Sequence, residues 1–220
     1  MTTYFFAYTN QSYWQVYNQE ISSPFRETNH EPEIFMLFNN DWKIGGITNS
    51  FWGFGAVHQS NGKAGLLSRS WNRLYGTMIF DAGPLAFSTK AWWRIPEDEK
   101  TNIHQPRGND NPNIDDYIGH AESVGVYGID AHRFTLNVKT NFKDIDCGSA
   151  ELTWSYPIVG NLRLYTQYIN GYGESLIDYN HHNHHNHHNH HNHHNHHNHH
   201  NHHNHHNQRI GIGVSLNDIL

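Results

Sequence analysis

The sequence predicts an all-β protein, an antiparallel transmembrane β-barrel with about ten strands within its 220 residues. Three observations lead to this prediction: side chains alternate with period two, no helical period of 3.6 is sustained, and connections alternate between short turns and long loops. Outer-membrane barrels carry short turns on one rim and long loops on the other. A soluble β-sandwich is the less favoured alternative, because sandwiches rarely sort their turns in this way.

Ten segments have strand-like sequence, rich in glycine, β-branched and aromatic residues. In chain order they are 3–17, 32–40, 43–58, 70–80, 85–94, 116–128, 132–142, 148–157, 162–174 and 208–219. The short connections are 41–42, 81–84, 129–131 and 158–161. The long ones are 18–31, 59–69, 95–115 and 175–207, with 143–147 a shorter member of that set. Threading the strands up and down puts every short turn and the C-terminus on one rim.

Composition excludes several other classes of protein. No run of 18 apolar residues exists, which excludes a transmembrane helix. A net charge of −6 without a basic cluster argues against a nucleic-acid partner. The single cysteine, Cys147, permits no intrachain disulfide. The start at Met1 lacks the layout of a signal peptide, so we expect a mature, truncated or misassigned N-terminus.

A base, a nucleophile and an amide lie on two adjacent predicted strands. His58 and Ser60 are two residues apart, so on a strand they share a face about 6.5 Å apart, and the imidazole can activate the hydroxyl. Asn72, at the start of the next strand, can hold the second ring nitrogen of His58, in the place of the aspartate of a Ser-His-Asp triad. We predict that these three residues are catalytic. Taken singly, each could be an ordinary strand or turn residue.

Side-chain parity places these three residues on the apolar face of their strands. The even positions of the two strands are largely apolar: Ile44, Trp52, Phe54, Ala56, Leu74, Gly76, Met78 and Phe80. In a membrane barrel the apolar face points to lipid, so the predicted substrate is the lipid itself. A β-bulge within 43–58 would invert this assignment.

The stretch from His58 to Arg73 resembles the outer membrane phospholipase A family of bacteria, which are β-barrel lipid hydrolases. Further segments carry the resemblance in family order: 8–9, 22–29, 111–112, 164–167, 171–180 and 213–218. The resemblance implies hydrolysis of phospholipid acyl esters, of phospholipase A1, A2 and lysophospholipase type, in the outer membrane. Activity would require calcium and homodimerisation.

The resemblance also implies how calcium is bound near the serine, mainly through backbone carbonyls. On this chain the carbonyl positions are Lys63 and Ser68, and the remaining ligand is the Ser22 side chain of a second subunit. Calcium would then lie at a dimer interface, and dimerisation would switch the enzyme on. A hard cation beside the developing oxyanion would stabilise the tetrahedral intermediate.

Three features depart from the family pattern. Asn10 stands where the family supports the triad asparagine with a glutamine. Gly65 stands where members can carry an aspartate for a second calcium, of which Asp110 is the remaining ligand. The family barrel has twelve strands, two of which would precede Tyr4, so we expect an N-terminally short member. The rival interpretations are a barrel fragment without activity, a passive pore or a surface metal-binding protein.

Residues 181–207 are nine copies of His-His-Asn that interrupt a long loop of the 1–220 domain. Such a segment cannot bury apolar area, so we predict a disordered insertion on the long-loop rim. One interpretation is a repeat expansion that the loop tolerates. The other is capture of Zn²⁺ or Ni²⁺ by the imidazoles.

Overall fold

The protein forms one ten-stranded antiparallel sheet in which each strand pairs with its neighbours in the chain. The structure is a computed structural model that describes residues 2–14, 25–102, 105, 108–142, 147–173, 175–180 and 208–216. The strands are β1 (Thr2–Trp14), β2 (Phe25–Ile44), β3 (Ile47–Ser60), β4 (Ser70–Ala82), β5 (Leu85–Arg94), β6 (Ala121–Ile129), β7 (His132–Thr140), β8 (Gly148–Val159), β9 (Leu162–Gly171) and β10 (Gln208–Leu216). The predicted all-β antiparallel order is confirmed.

Strand β2 begins at Phe25, earlier than the predicted start at residue 32. Its polar first third pairs with the end of β1, with Gln11 opposite Asn29 and Trp14 opposite Phe25. Inward side chains of this part, such as Glu27, are buried among other polar groups. The polar sequence therefore looks like a loop although its backbone continues the sheet.

The predicted strand at 116–128 is shorter, because a helix, α1 (Ile114–Ile118), precedes it and β6 starts at Ala121. Ile114 and Ile118 are four residues apart and therefore lie on one helix face, and both are buried. A five-residue helix is too short for a helical period to show in the sequence. No helix in the described part of the chain has the length and apolar character needed to cross a membrane.

The two faces of the sheet differ in the way that side-chain parity predicts. Phe54 is 52% exposed and Leu74 is 46% exposed, whereas Trp71 is 1% and Tyr75 5% exposed. The register of β3 on β4 shifts between Asn49 and Phe51 and is continuous from there to Ser60. The irregularity thus precedes the end of β3 that carries His58 and Ser60, and the predicted parity of these two residues is confirmed.

The buried face is polar as well as aromatic near the long-loop rim. The Arg73 guanidinium lies 3.2 Å from Glu31 and stacks 4.0 Å from the Trp71 ring centroid. The Tyr75 hydroxyl donates to Glu33 at 2.8 Å. A core of eight buried residues joins the strand ends to α1 and to the 175–180 segment: Val57, Trp71, Tyr75, Trp92, Ile114, Ile118, Leu176 and Tyr179. This packing fixes the rim on which the catalytic candidates lie.

Candidate active site

His58 and Asn72 lie directly opposite each other in the register of β3 on β4. Their side chains meet on the exposed face, with His58 Nδ1 2.8 Å from Asn72 Oδ1. An amide oxygen only accepts, so Nδ1 carries the proton and donates it. Nε2 is then left with a free lone pair, which is the form that a general base requires. The structure thus brings together two of the three predicted catalytic residues, with the His58 tautomer that a general base needs.

Ser60 lies two residues beyond His58 on the same face of β3. Its cross-strand neighbours are His30 on β2 and Ser70 on β4. Within the described part of the chain, no hydrogen bond joins Ser60 Oγ to the His58 ring. Catalytic hydrogen bonds often tighten only when substrate binds. The spacing is therefore suitable for a nucleophile and its base, and the Ser60–His58 contact stays a prediction.

Asn72 is supported by a residue that the sequence analysis missed. Its Nδ2 donates to Glu97 Oε1 at 2.6 Å. Glu97 follows β5, and Ile95 N donates to Asn72 O at 2.8 Å, which lays the 95–97 segment alongside β4. Residues 97–99 are all acidic, and nothing in their sequence indicates that Glu97 hydrogen-bonds to a strand residue 25 positions earlier.

Asn10, the predicted supporting residue, lies on β1, three strands from Asn72. Three strand spacings amount to about 14 Å, too far for direct contact within one chain. Asn10 Nδ2 instead lies 3.1 Å from His30 Nδ1, and the Tyr8 hydroxyl lies 2.6 Å from the same nitrogen. His30 is opposite Ser60 in the register of β2 on β3, and the support of Asn72 by Asn10 stays a prediction.

The connection between β3 and β4, the 61–69 loop, is organised by Asn61, another residue that the sequence analysis missed. Asn61 is 5% exposed. Its Oδ1 accepts from the backbone N–H of Lys63 at 3.2 Å and of Arg69 at 3.0 Å. Its Nδ2 donates to Leu67 O at 2.8 Å and to Glu27 Oε1 at 3.2 Å. An Asn-Gly pair is an ordinary turn signal, so the sequence did not indicate a buried anchor.

The carbonyl oxygens of the 61–69 loop are turned towards positive charge. Arg69 Nη1, which can only donate hydrogen bonds, donates to Ser68 O at 2.7 Å and to Leu66 O at 2.9 Å. Calcium prefers oxygen ligands, including backbone carbonyls. Of the two predicted calcium carbonyls, Ser68 O accepts from Arg69, and binding of calcium by Lys63 O and Ser68 O stays a prediction. Ser22, the predicted ligand from a second subunit, lies outside the described residues.

Asp110 does not fit a second calcium ion. Its Oδ2 accepts from Ser68 Oγ at 2.8 Å and from Ser70 Oγ at 3.2 Å, and its Oδ1 pairs with the Lys100 ammonium. The Asp110 and Lys100 side chains are only 9% and 15% exposed. Gly65, with φ of +65°, supplies no side-chain ligand beside them. Across the described ranges, no three His, Cys, Asp or Glu side chains gather to hold a metal.

Burial raises the pKa of two groups near this end of the sheet, Asp115 on α1 and Tyr179 in the 175–180 segment. Burial raises the pKa of Asp115, and Arg94, 3.7 Å away, partly opposes it. Burial also raises the pKa of Tyr179, against the effect of Arg69, whose guanidinium lies 5.8 Å from the tyrosine ring centroid. The Tyr179 hydroxyl donates to Asn113 at 2.6 Å. These contacts join the 175–180 segment and α1 to the end of the sheet that carries the catalytic candidates.

A cleft on the buried face does not contain the catalytic candidates. Its lining includes Glu31, Gln59, Arg73 and Lys90, whose side chains lie on the buried face of the sheet. His58, Ser60 and Asn72 lie on the other face of the same strands. A site on the exposed face suits a substrate that arrives as an extended surface, whereas the cleft suits a small polar molecule.

Comparison with known proteins decides the family. The phospholipase A1 family model matches residues 1–186. The chain belongs to the phospholipase A1 family. Phospholipase A1 of Escherichia coli K12 is 37% identical over 215 residues, which is 97% of this chain and 62% of that protein. Phospholipase A1 of Salmonella typhimurium is 36% identical with the same coverage. The chain thus spans less than two thirds of the length of these relatives.

Solved structures of phospholipase A confirm the barrel fold. The calcium-bound dimer of the Salmonella typhi outer membrane phospholipase is 35% identical and matches with a TM-score of 0.78, over 100% of this chain and 72% of that one. Outer membrane phospholipase A of Escherichia coli matches with a TM-score of 0.77, over 77% of its chain. An active-site mutant of the latter, with an asparagine changed to alanine, matches equally well.

Proposed function

We propose that this phospholipase A1 family chain hydrolyses acyl esters of phospholipids in the bacterial outer membrane, through Ser60, His58 and Asn72. The observation that carries the proposal is the His58–Asn72 hydrogen bond of 2.8 Å on the exposed face, beside Ser60. The names of the relatives support the reaction, and the active-site asparagine of the Escherichia coli mutant supports the role of Asn72.

The reaction follows from the tautomer of His58. His58 Nε2 takes the proton of Ser60 Oγ as that oxygen attacks the ester carbonyl, and it then gives the proton to the leaving lysophospholipid oxygen. Water repeats the sequence on the acyl-serine: it loses a proton to Nε2, and Ser60 recovers one as the fatty acid leaves. Asn72 holds the ring in position throughout.

The exposed apolar face supports a lipid substrate. Phe54, Leu74 and Trp93 lie on it and are 52%, 46% and 58% exposed. A soluble monomer rarely exposes so large an apolar surface, whereas the outer face of a membrane barrel is apolar because it contacts lipid. The acyl ester of a neighbouring phospholipid can therefore reach Ser60 without leaving the membrane.

We infer that the active form is a homodimer with calcium, as in the Salmonella typhi structure, which is a dimer with bound calcium. The Lys63 and Ser68 carbonyls and Ser22 of the partner subunit would hold the ion. When bound, it supplies positive charge near the oxygen that becomes negative in the transition state. Asp110 pairs with Lys100 and accepts from the Ser68 hydroxyl, so we give it no role as a calcium ligand.

We also propose that residues 1–220 form one barrel domain and that 181–207 is a loop insertion. Gln208, the first residue after the tract, pairs with Asn170 in the register of β10 on β9, so these two strands pair although the tract lies between them in the sequence. The His-His-Asn tract itself lies outside the described residues. Binding of Zn²⁺ or Ni²⁺ by its imidazoles stays a prediction.

Labelling with a sulfonyl fluoride tests the proposed nucleophile. Only an activated serine hydroxyl reacts rapidly, so the folded chain should be labelled at Ser60 and at no other serine. Asn72→Ala should slow the labelling, because His58 loses its orienting partner. An unlabelled Ser60 in a folded protein, with or without calcium, would show that the serine is not activated and would contradict the proposed function.

A further inference from the structure

The amide of Asn72 connects an imidazole and a carboxylate on opposite sides. On one side its Oδ1 lies 2.8 Å from His58 Nδ1. On the other its Nδ2 lies 2.6 Å from Glu97 Oε1. A separation of 2.6 Å is short even for a hydrogen bond to an ionised acceptor, which typically measures about 2.7–2.9 Å. The partly buried Glu97 is therefore closely coupled to the triad through the side chain of Asn72.

We propose that Glu97 is a positioning residue of the active site and the fourth member of a relay, Ser60–His58–Asn72–Glu97. The relay rests on the proposed function, because it assigns Glu97 a role in the reaction of Ser60. Glu97 touches neither the serine nor the substrate and acts through Asn72 alone.

Glu97 first determines which way the Asn72 amide points. An ionised carboxylate only accepts hydrogen bonds, so it selects the NH₂ end of the amide. The oxygen end is then left for His58, which must donate from Nδ1. The proton on Nδ1 leaves Nε2 free as the base. A flipped amide would present NH₂ to the ring and favour the wrong tautomer.

Glu97 also supplies the negative charge that an Asn-containing triad lacks. In a Ser-His-Asp triad the aspartate stabilises the imidazolium that forms when the serine is deprotonated. A neutral amide does this less well. A carboxylate behind the amide polarises it, so that Oδ1 becomes more negative as the imidazolium forms, because hydrogen bonds in a chain strengthen one another.

The local structure holds Glu97 in place for this role. Ile95 N donates to Asn72 O at 2.8 Å, immediately before Pro96. Arg94, at the end of β5, donates to Asn111 O at 2.8 Å and to Asn109 Oδ1 at 2.6 Å. The 94–97 segment is thus held at the end of β5 by hydrogen bonds to β4 on one side and to residues 109–111 on the other. Glu99, two residues beyond Glu97, is exposed and offers a matched control.

The first test compares Glu97→Gln with Glu99→Gln. Glutamine keeps the size of the side chain and an oxygen acceptor but removes the charge. We expect kcat for fatty acid release to fall about tenfold in Glu97→Gln, with KM within about twofold, since Glu97 does not touch substrate. Glu99→Gln should match the wild type. Equal kcat values for the two variants would overturn the proposal.

An exchange of the two groups gives a result that a merely structural role would not produce. Asn72→Asp alone places a second carboxylate against Glu97, and the two charges repel. The double variant Asn72→Asp/Glu97→Gln restores one amide and one carboxylate in reversed order. We expect kcat of the double variant to exceed that of Asn72→Asp about tenfold, although Glu97→Gln lowers kcat in the wild type. Losses that simply add would overturn the relay.

Nuclear magnetic resonance of the folded protein in detergent separates failure of the relay from failure of the proposed function. If the wild type releases no fatty acid, the proposed function is wrong, and the relay is judged by the Asn72 side-chain amide protons alone. These protons should move upfield in Glu97→Gln and stay in place in Glu99→Gln. Unmoved resonances in Glu97→Gln would overturn the relay whatever the activity.

Discussion

At the residue scale, the proposed chemistry depends on the direction of one amide. Asn72 orients His58 from the opposite strand, and Glu97 orients Asn72 from the loop after β5. Glu97 determines which end of the Asn72 amide faces His58, and the amide in turn determines which nitrogen of His58 carries the proton. The exposed setting of His58 makes this bracing necessary, because no packed core surrounds the ring.

Asn72→Ala removes the partner that fixes the His58 ring and its tautomer. We expect kcat for fatty acid release to fall at least about a hundredfold, since a wrong tautomer in a serine hydrolase triad costs up to about 10⁴-fold. The control is Asn39→Ala on the exposed part of β2. A loss in Asn72→Ala no greater than in Asn39→Ala would exclude Asn72 from the active site.

The sequence predicts the placement of His58 opposite Asn72, with Ser60 on the same face, because local rules set these positions. The i, i+2 spacing of His58 and Ser60 and the hairpin register of Asn72 need only that β3 and β4 form and pair. Glu97 and Asn61 could not be predicted, because their partners are fixed by loop paths. Asn10 contacts His30 on the neighbouring strand, and the support of Asn72 that the resemblance assigns to it stays a prediction.

At the element scale, the 61–69 loop is held by one buried amide. Asn61 joins the two ends of the loop and connects it to Glu27, which is 1% exposed and also accepts from Ile177 N at 2.9 Å. The loop that carries the proposed calcium carbonyls is therefore tied to β2 and to the 175–180 segment. Its shape depends on Asn61 more than on any turn preference.

Asn61→Ala should destabilise the protein by about 2 kcal/mol or more, because it leaves several buried polar groups without partners. Urea unfolding in detergent, followed by tryptophan fluorescence, measures the change. The calcium concentration that gives half-maximal activity should rise as well. An unfolding free energy equal to that of Asn39→Ala would show that the loop does not depend on Asn61.

The helix α1 should respond to pH through Asp115. Burial raises the pKa of this carboxyl in the folded state above its ordinary value of 3.8, so its charge costs stability above the raised pKa and costs nothing below about pH 3.8. Asp115→Asn should therefore raise the melting temperature at pH 8, and the gain should disappear near pH 3. The exposed Asp116→Asn is the control. A gain that is the same at both pH values would contradict this account.

The strand boundaries show where alternation alone is insufficient. Strands β4 and β5 begin at the predicted residues and end within two residues of the prediction. The predicted turn at 41–42 was wrong: β2 continues to Ile44 and β3 begins at Ile47, because the turn is made by Gly45 and Gly46. The start of β2 was missed because its inward side chains are polar and paired, and α1 was missed because one helical turn has no measurable period.

At the scale of the whole molecule, the exposed face of the sheet is apolar and the buried face is partly charged. Ile210 and Ile212 on β10 are 77% and 75% exposed, while Arg73 is 8% exposed. This arrangement inverts that of a soluble protein and is the one expected for a barrel in lipid. A catalytic group on the outer face then makes sense only for a substrate within the membrane.

Deletion of 181–207 tests whether the His-His-Asn tract is an insertion. We expect the shortened chain to fold and to hydrolyse phospholipid at the wild-type rate, because β9 and β10 pair up to Asn170 and Gln208. Retention of the full-length chain on immobilised Ni²⁺ should be lost. A Gly-Ser linker of equal length is the control. Loss of folding in both shortened and linker chains would show that the tract is part of the domain.

The most direct test of the central claim is fatty acid release from phospholipid micelles by the refolded chain, with calcium or with EDTA, beside Ser60→Ala. The account predicts release that requires calcium and disappears in Ser60→Ala. Release that persists in Ser60→Ala, or no release from a folded chain with calcium, would contradict it.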